Sequence, residues 1–242
     1  MSCRTYSANL LGGIGDMMFR DRHEAGRVLG ERLAEYKGKG AVVLALPRGG
    51  VPVAEQVAIA LDASLDVVVA RKIGAPFNEE VAVGAVGPDG EVVLNERLVK
   101  AVRIPQSYID SEVRAEIAEI ARRTRDYRGD APPAALEGKT VILVDDGIAT
   151  GYTAIAAARH IRRQNPAWLV IATPVAPPDT LEALAREADD VVCVWSPEDF
   201  AAVGQAYWNF SQTMDREVLA ILDRWLARSA GQGTGKEPQN PS

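Results

Sequence analysis

The 242-residue sequence is poor in several residue types, and each shortage closes a class of explanation. It has only two cysteines, Cys3 and Cys193, almost the whole chain apart. A disulfide framework or a cysteine-built metal site needs more of them at closer spacing. Its two histidines, His23 and His160, fall in helical patterns with no second ligand at metal-binding spacing, so they read as helix-surface residues. No run of about 18 apolar residues occurs, and no membrane-spanning helix is expected. Leu10, Leu11 and Ile14 make too short and too glycine-rich a stretch for the apolar centre of an export signal, which leaves a cytoplasmic protein as the expectation. Basic charge is also scarce: 27 Lys and Arg face 33 Asp and Glu, for a net charge of −6. That balance argues against a general nucleic-acid binder. The glycines at 12, 13 and 15 follow no strand, so they make no dinucleotide fingerprint.

What is present is ordinary globular composition, 47% hydrophobic and 25% charged. Strand patterns recur near Val42, Val67, Val83, Val92, Ile142, Val170 and Val192, and helical patterns fill most of the gaps. This alternation predicts an α/β fold with a doubly wound, mainly parallel sheet. Residues 82–86 and 91–94, joined by Gly87-Pro-Asp-Gly90, read as a small hairpin. Asp21 is placed to cap a helix with Glu24 at capping-box spacing, and residues 107–128 form a long polar helix with acids leading and arginines trailing. Met214, Val218, Ile221, Leu222 and Trp225 form the stripe of a C-terminal helix, expected to be core. The aromatics just before it, from Phe200 to Phe210, suit a lid, a dimer contact or a surface for stacking a base. The expected organisation is a loose extension over 1–18, one domain over 19–228 and a disordered tail over 229–242.

The most informative stretch is residues 141–153. Four branched apolar residues, Val141 to Val144, read as a strand buried on both faces. They run into Asp145 and Asp146, which a sheet interior would not tolerate, so the pair marks the strand's carboxyl end, where open α/β sheets bind ligands. Gly147, Ile148, Ala149, Thr150, Gly151, Tyr152 and Thr153 follow and lead into a helical pattern. A Gly/Thr loop entering a helix offers unpaired N–H groups and a positive dipole end to a phosphate, and adjacent carboxylates suit a diol. A phosphate beside a diol describes a ribose 5-phosphate. A second buried strand, residues 41–46, ends in Pro47, Arg48, Gly49 and Gly50, a loop that lets the backbone approach a ligand and offers a cationic fork to an anion. Arg71 and Lys72 follow a third strand over 65–70; they either face an anion or form a solvated pair.

Residues 141–153 resemble the phosphoribosyl-pyrophosphate (PRPP) signature of the type I phosphoribosyltransferases: apolar strand, acidic pair, loop ending Thr-Gly-x-Thr. The resemblance implies a three-layer fold, and Asp145 and Asp146 on the ribose hydroxyls and, through water, on Mg²⁺. It implies residues 147–153 around the 5′-phosphate, and Pro47, Arg48, Gly49 and Gly50 as the pyrophosphate loop. Arg48, Arg71 and Lys72 would be the catalytic cations on the leaving group, and a mobile loop would start in residues 73–80. The activity implied is transfer of a 5-phosphoribosyl group to a nitrogen nucleophile, a nucleobase, with release of pyrophosphate. The alternative is a regulator that keeps the PRPP site without the transfer chemistry. Ala149 stands where 6-oxopurine enzymes carry an acid, which points away from hypoxanthine or guanine and toward adenine-type members. Tyr152 is bulky for its position, and its ring is expected to point away from the loop. The remaining partners expected are a small-molecule acceptor and, among assemblies, a homodimer.

Overall fold

The computed structural model describes residues 2–5 and 18–232. The chain runs β1 (Ser2–Thr5), α1 (Arg22–Arg32), β2 (Val42–Ala45), α2 (Gly50–Leu61) and β3 (Ser64–Val67). It continues with β4 (Arg71–Ala75), β5 (Asn78–Val86), β6 (Val92–Leu94), α3 (Glu96–Ala101) and α4 (Gln106–Arg128). It closes with β7 (Thr140–Val144), α5 (Tyr152–Arg162), β8 (Trp168–Val175), α6 (Pro178–Leu184), β9 (Asp190–Trp195) and α7 (Asp215–Gln232).

Six strands form one sheet in the order β1-β9-β8-β7-β2-β3, every pair parallel. Its central strands β2, β7 and β8 are apolar on both faces because both faces are covered. Val43, Ala45, Ile142 and Val144 join a core with α1, α2 and α7. Their neighbours Val42, Leu44, Val141 and Leu143 join a second core with α5 and α6. The result is the expected three-layer α/β arrangement. The remaining strands, β4-β5-β6, form a small antiparallel sheet, and its β5–β6 half is the hairpin read from the sequence, with Val86 opposite Val92.

The structure departs from the sequence reading in six places. Residues 2–5, inside the expected loose extension, pair with β9 as an edge strand; the rest of that extension up to residue 17 lies outside the described residues. Helix α7 runs to Gln232, past the expected start of the disordered tail at 229, and residues 233–242 lie outside the described residues. The third strand ends at Val67, so Arg71 and Lys72 open β4 in the other sheet and do not end β3. Residues 73–80, expected as a loop, fold into the β4–β5 hairpin, with Ala75 opposite Asn78 around Pro76 and Phe77 and a register shift on each side of Gly74. Met214 precedes α7 and is exposed, while Val218, Ile221, Leu222 and Trp225 are buried as expected. At α1, Asp21 accepts the Glu24 N–H at 2.9 Å, but Glu24 reaches back to the Arg20 N–H, so the capping box is half formed.

Candidate active site

Strands β2 and β7 lie side by side, with Ala45 opposite Val144, and the Leu46 N–H donates to the Val144 carbonyl at 2.9 Å. From β2 the sheet continues outward to β3, and from β7 it continues the other way through β8 and β9. The two strands therefore flank the point where the winding reverses, where loops diverge to opposite faces and open a crevice. Residues 47–50 leave toward α2, and residues 145–151 leave toward α5.

The loops touch, and glycine makes that contact feasible. A Cβ on Gly49 would stand 2.1 Å from Asp146 Oδ2, and one on Gly50 would stand 2.8 Å from the Val144 carbonyl and 3.0 Å from Asp145 Cα. The Pro47–Arg48 peptide is cis. The two stretches singled out in the sequence, about 100 residues apart, are thus packed into one structure at the carboxyl edge of the sheet.

The two acids differ in their surroundings. Asp145 Oδ1 accepts the Asp146 N–H at 2.9 Å, and burial, reinforced by the neighbouring Asp146 charge, pushes the Asp145 carboxyl well above the usual carboxylate range. Asp146 has a cationic partner: Arg22 Nε donates to its Oδ2 at 2.6 Å, and the two side chains are only 11% and 13% exposed. The Asp146 carbonyl accepts the Tyr207 hydroxyl, whose own ionisation is pushed up by burial and by the Asp146 charge.

Past the acids, the chain divides its labour. Gly147 packs beneath Val203, and Ile148 is buried with its N–H on the Val175 carbonyl, so both residues shape the loop. Ala149 and Thr150 are exposed. Thr180 on α6 donates its hydroxyl to the Ala149 carbonyl at 2.5 Å and fixes this turn. Gly151 adopts φ +79°, which suits glycine, and caps α5 without a side-chain hydrogen bond. Among the described residues, no group accepts the N–H of Thr150, Gly151, Tyr152 or Thr153. The first turn of α5 is therefore open to an anion. Tyr152 is half-buried against the core of the α5–α6 face, so its ring points away from the loop as expected.

The three cations are distributed unevenly. Arg48 lies in the 47–50 loop, with its guanidinium 3.7 Å from Asp215 at the start of α7; Asp215 also accepts the Tyr127 hydroxyl. Arg71 turns to α4, where its Nε donates to Glu116 at 2.7 Å, and Lys72 follows it on β4, half-buried. The structure thus joins Arg48 to the acid pair through its own loop, and each arginine has a carboxylate partner on another element, Asp215 at 3.7 Å for Arg48 and Glu116 at 2.7 Å for Arg71. Of the trailing arginines of α4, Arg122 and Arg123 pair with Glu119, whose carboxyl they hold down at about 2. Arg128 instead reaches Asp66 and the Val67 carbonyl and ties α4 to β3. His160 sits on the surface of α5, 3.3 Å from Asp89, and His23 is exposed.

The match to the phosphoribosyl transferase domain covers residues 22–210. The chain belongs to that family. Two Mycobacterium tuberculosis proteins, from strains CDC 1551 and H37Rv, are each 47% identical to it over 207 residues and are named provisionally as phosphoribosyl transferases. The aligned part is 86% of this chain and 47% of each relative, so the chain spans about half their length. The structure of TT1426 from Thermus thermophilus is similar with a TM-score of 0.71 and 45% identity, covering 86% of this chain and 99% of that one. Among the described residues, no helix is long and apolar enough to cross a membrane.

In this phosphoribosyl transferase domain the site residue that sequence reasoning missed is Arg22. It opens α1, and its side chain reaches the acid pair at the end of β7. Beyond Asp146, its Nη1 donates to the Ser211 carbonyl at 2.7 Å and its guanidinium lies 4.1 Å from the centre of the Phe210 ring. Phe210 stacks on Tyr207 at 5.0 Å, and Tyr207 meets Phe19 at 5.6 Å. The backbone of residues 19–20 pairs with 206–209, so the arm that carries these aromatics is stitched to the start of α1. Trp208 on the arm is 76% exposed. The aromatic cluster was visible in the sequence; its arginine was not, because a single Arg at a helix start has no distinguishing spacing.

Proposed function

We propose that this phosphoribosyl transferase domain transfers a 5-phosphoribosyl group from PRPP to the nitrogen of a nucleobase and releases pyrophosphate. The observation that carries this reading is the packing of Gly49 and Gly50 against Asp146 and Asp145, which supports a single site holding both ends of PRPP. In this reading the first turn of α5 and residues 147–153 receive the 5′-phosphate, the acid pair receives the ribose hydroxyls, and Pro47, Arg48, Gly49 and Gly50 receive the pyrophosphate. The C1′–O bond breaks with its electron pair leaving on pyrophosphate, and a C1′–N bond forms as the acceptor nitrogen gives up its proton to the departing pyrophosphate or to water. Such a reaction, with a cation-like carbon at its midpoint, asks for leaving-group charge stabilisation and fixed geometry. Arg48 is the cation best placed for that stabilisation. Arg71 serves it only after releasing Glu116 at 2.7 Å, a closer pair than that of Arg48 with Asp215 at 3.7 Å, and Lys72 is the third candidate.

Two adjacent carboxylates fit Mg²⁺, which keeps most of its waters and takes further oxygens from substrate. Among the described residues there is no cluster of three or more protein ligands, which agrees with a cation shared with substrate. When bound, Mg²⁺ supplies positive charge to the diphosphate. Asp145 and Asp146 would contact its waters, and in the ligand-free protein Asp146 is held by Arg22. Ala149 supports an acceptor outside the 6-oxopurines, an adenine-type base among them.

The test is to offer PRPP and Mg²⁺ with a panel of nucleobases and to measure pyrophosphate. Release with one or a few bases supports the transferase. Tight PRPP binding with no release across the panel would instead indicate a regulator with the same site.

A further inference from the structure

Resting on the PRPP reading, a further role follows for Arg22. Three observations meet at this one side chain. Its Nε holds Asp146 Oδ2 at 2.6 Å, its Nη1 holds the Ser211 carbonyl at 2.7 Å, and its face lies on the Phe210 ring at 4.1 Å. The ion pair is nearly enclosed, with 11% and 13% of the two side chains exposed. Gly49 presses on the same Asp146 carboxylate from the other loop. A ribose hydroxyl arriving at Asp146 therefore meets a carboxylate already occupied by a cation on one side and crowded by backbone on another.

We propose that Arg22 is a latch, a positioning residue that in the free protein ties Asp146 to the aromatic arm and must release that carboxylate before the ribose can use it. The same release frees the arm at Ser211 and Phe210. Occupation of the ribose site and movement of the arm are thereby coupled through one guanidinium. A ligand shifts such an equilibrium only by its preference for one state, so the latch lowers PRPP affinity by the fraction of molecules in which it is closed.

The sign of the effect separates this role from others. Calorimetric titration of PRPP with Mg²⁺ into Arg22→Gln should show affinity about tenfold tighter than in the parent protein, equivalent to about 1.4 kcal/mol. Phe210→Leu, which removes the stacked face and keeps the ion pair, should tighten binding by about twofold to threefold, and it serves if Arg22→Gln does not fold. Hydrogen exchange in the ligand-free variants should be faster over residues 206–211 than in the parent, a readout that needs no PRPP. Weaker binding in both variants would make Arg22 a direct phosphate ligand and overturn the latch. Unchanged binding with unchanged exchange would make it a structural ion pair and overturn it equally. Failure of the parent protein to bind PRPP would overturn the functional reading itself, while the exchange measurement would still decide whether Arg22 holds the arm.

Discussion

Replacing Gly49 by alanine tests the contact on which the site depends. Gly49 has φ −59° and ψ −34°, a conformation open to any residue, so the substitution carries no backbone penalty. Stiffening the unfolded chain even favours it by about 0.4–1 kcal/mol. The cost lies entirely in space. The new methyl would stand 2.1 Å from Asp146 Oδ2 and 2.6 Å from its Cγ. Uncrowded contacts between heavy atoms need roughly 3.5 Å, so the carboxylate must move by about 1 Å or more. It cannot move freely, because Arg22 holds its Oδ2 at 2.6 Å. Overpacking of this kind costs about 1–3 kcal/mol, which leaves a net destabilisation of roughly 0–2.6 kcal/mol after the chain-stiffening gain. At about 2–4 °C per kcal/mol, Tm should fall by at most about 10 °C. Function should suffer more, since a misplacement of about 1 Å is worth roughly a hundredfold in activity.

Gly50→Ala is the matched comparison. Its methyl meets the Val144 carbonyl and Asp145 Cα, which are backbone and cannot swing aside, so it should lose more Tm than Gly49→Ala. Scanning calorimetry and PRPP titration of both variants decide the matter. Gly49→Ala with parent-like Tm and affinity, or with a larger Tm loss than Gly50→Ala, would refute the packing argument.

Three further outcomes follow from the same geometry. Asp145 keeps its proton in the native state to a higher pH than in the unfolded chain, so its contribution to stability is full below about pH 4 and is lost as pH rises through its raised native value. Asp145→Asn keeps the acceptor for the Asp146 N–H and has no charge to bury; at pH 8 it should be more stable than the parent by roughly 1 kcal/mol while losing PRPP binding, and a lower Tm than the parent at pH 8 would contradict this. Thr180→Val removes the hydroxyl on the Ala149 carbonyl and should weaken ribose 5-phosphate binding about fivefold, corresponding to about 1 kcal/mol, with fluorescence or calorimetric titration as the readout. Chelation of Mg²⁺ should weaken PRPP binding in the parent protein, and affinity indifferent to chelator would remove the cation from the account.

Much of this was legible in the sequence because burial on both faces leaves a plain signature. Runs such as Val141 to Val144 fit little besides a covered parallel strand, and the acids that follow mark its end. Four features stayed hidden because their causes are tertiary. Residues 2–5 carry no apolar pattern and become a strand through pairing with β9. The hairpin of β4 and β5 contains Gly74 and Pro76, both turn formers, and is held partly by the Tyr108 hydroxyl of α4 on the Gly74 carbonyl at 3.1 Å. Arg71 reads as a strand-end cation until Glu116 is seen beside it. Arg22 is separated from Asp146 by 124 positions, and nothing local foretells that pairing.

The central claim is that the acid pair and the loops around it form a PRPP site. Calorimetric titration of PRPP with Mg²⁺ into the parent protein and into the Asp145→Asn, Asp146→Asn double variant tests it most directly. The account predicts saturable binding in the parent and none in a folded double variant. Unchanged affinity in the double variant would contradict it.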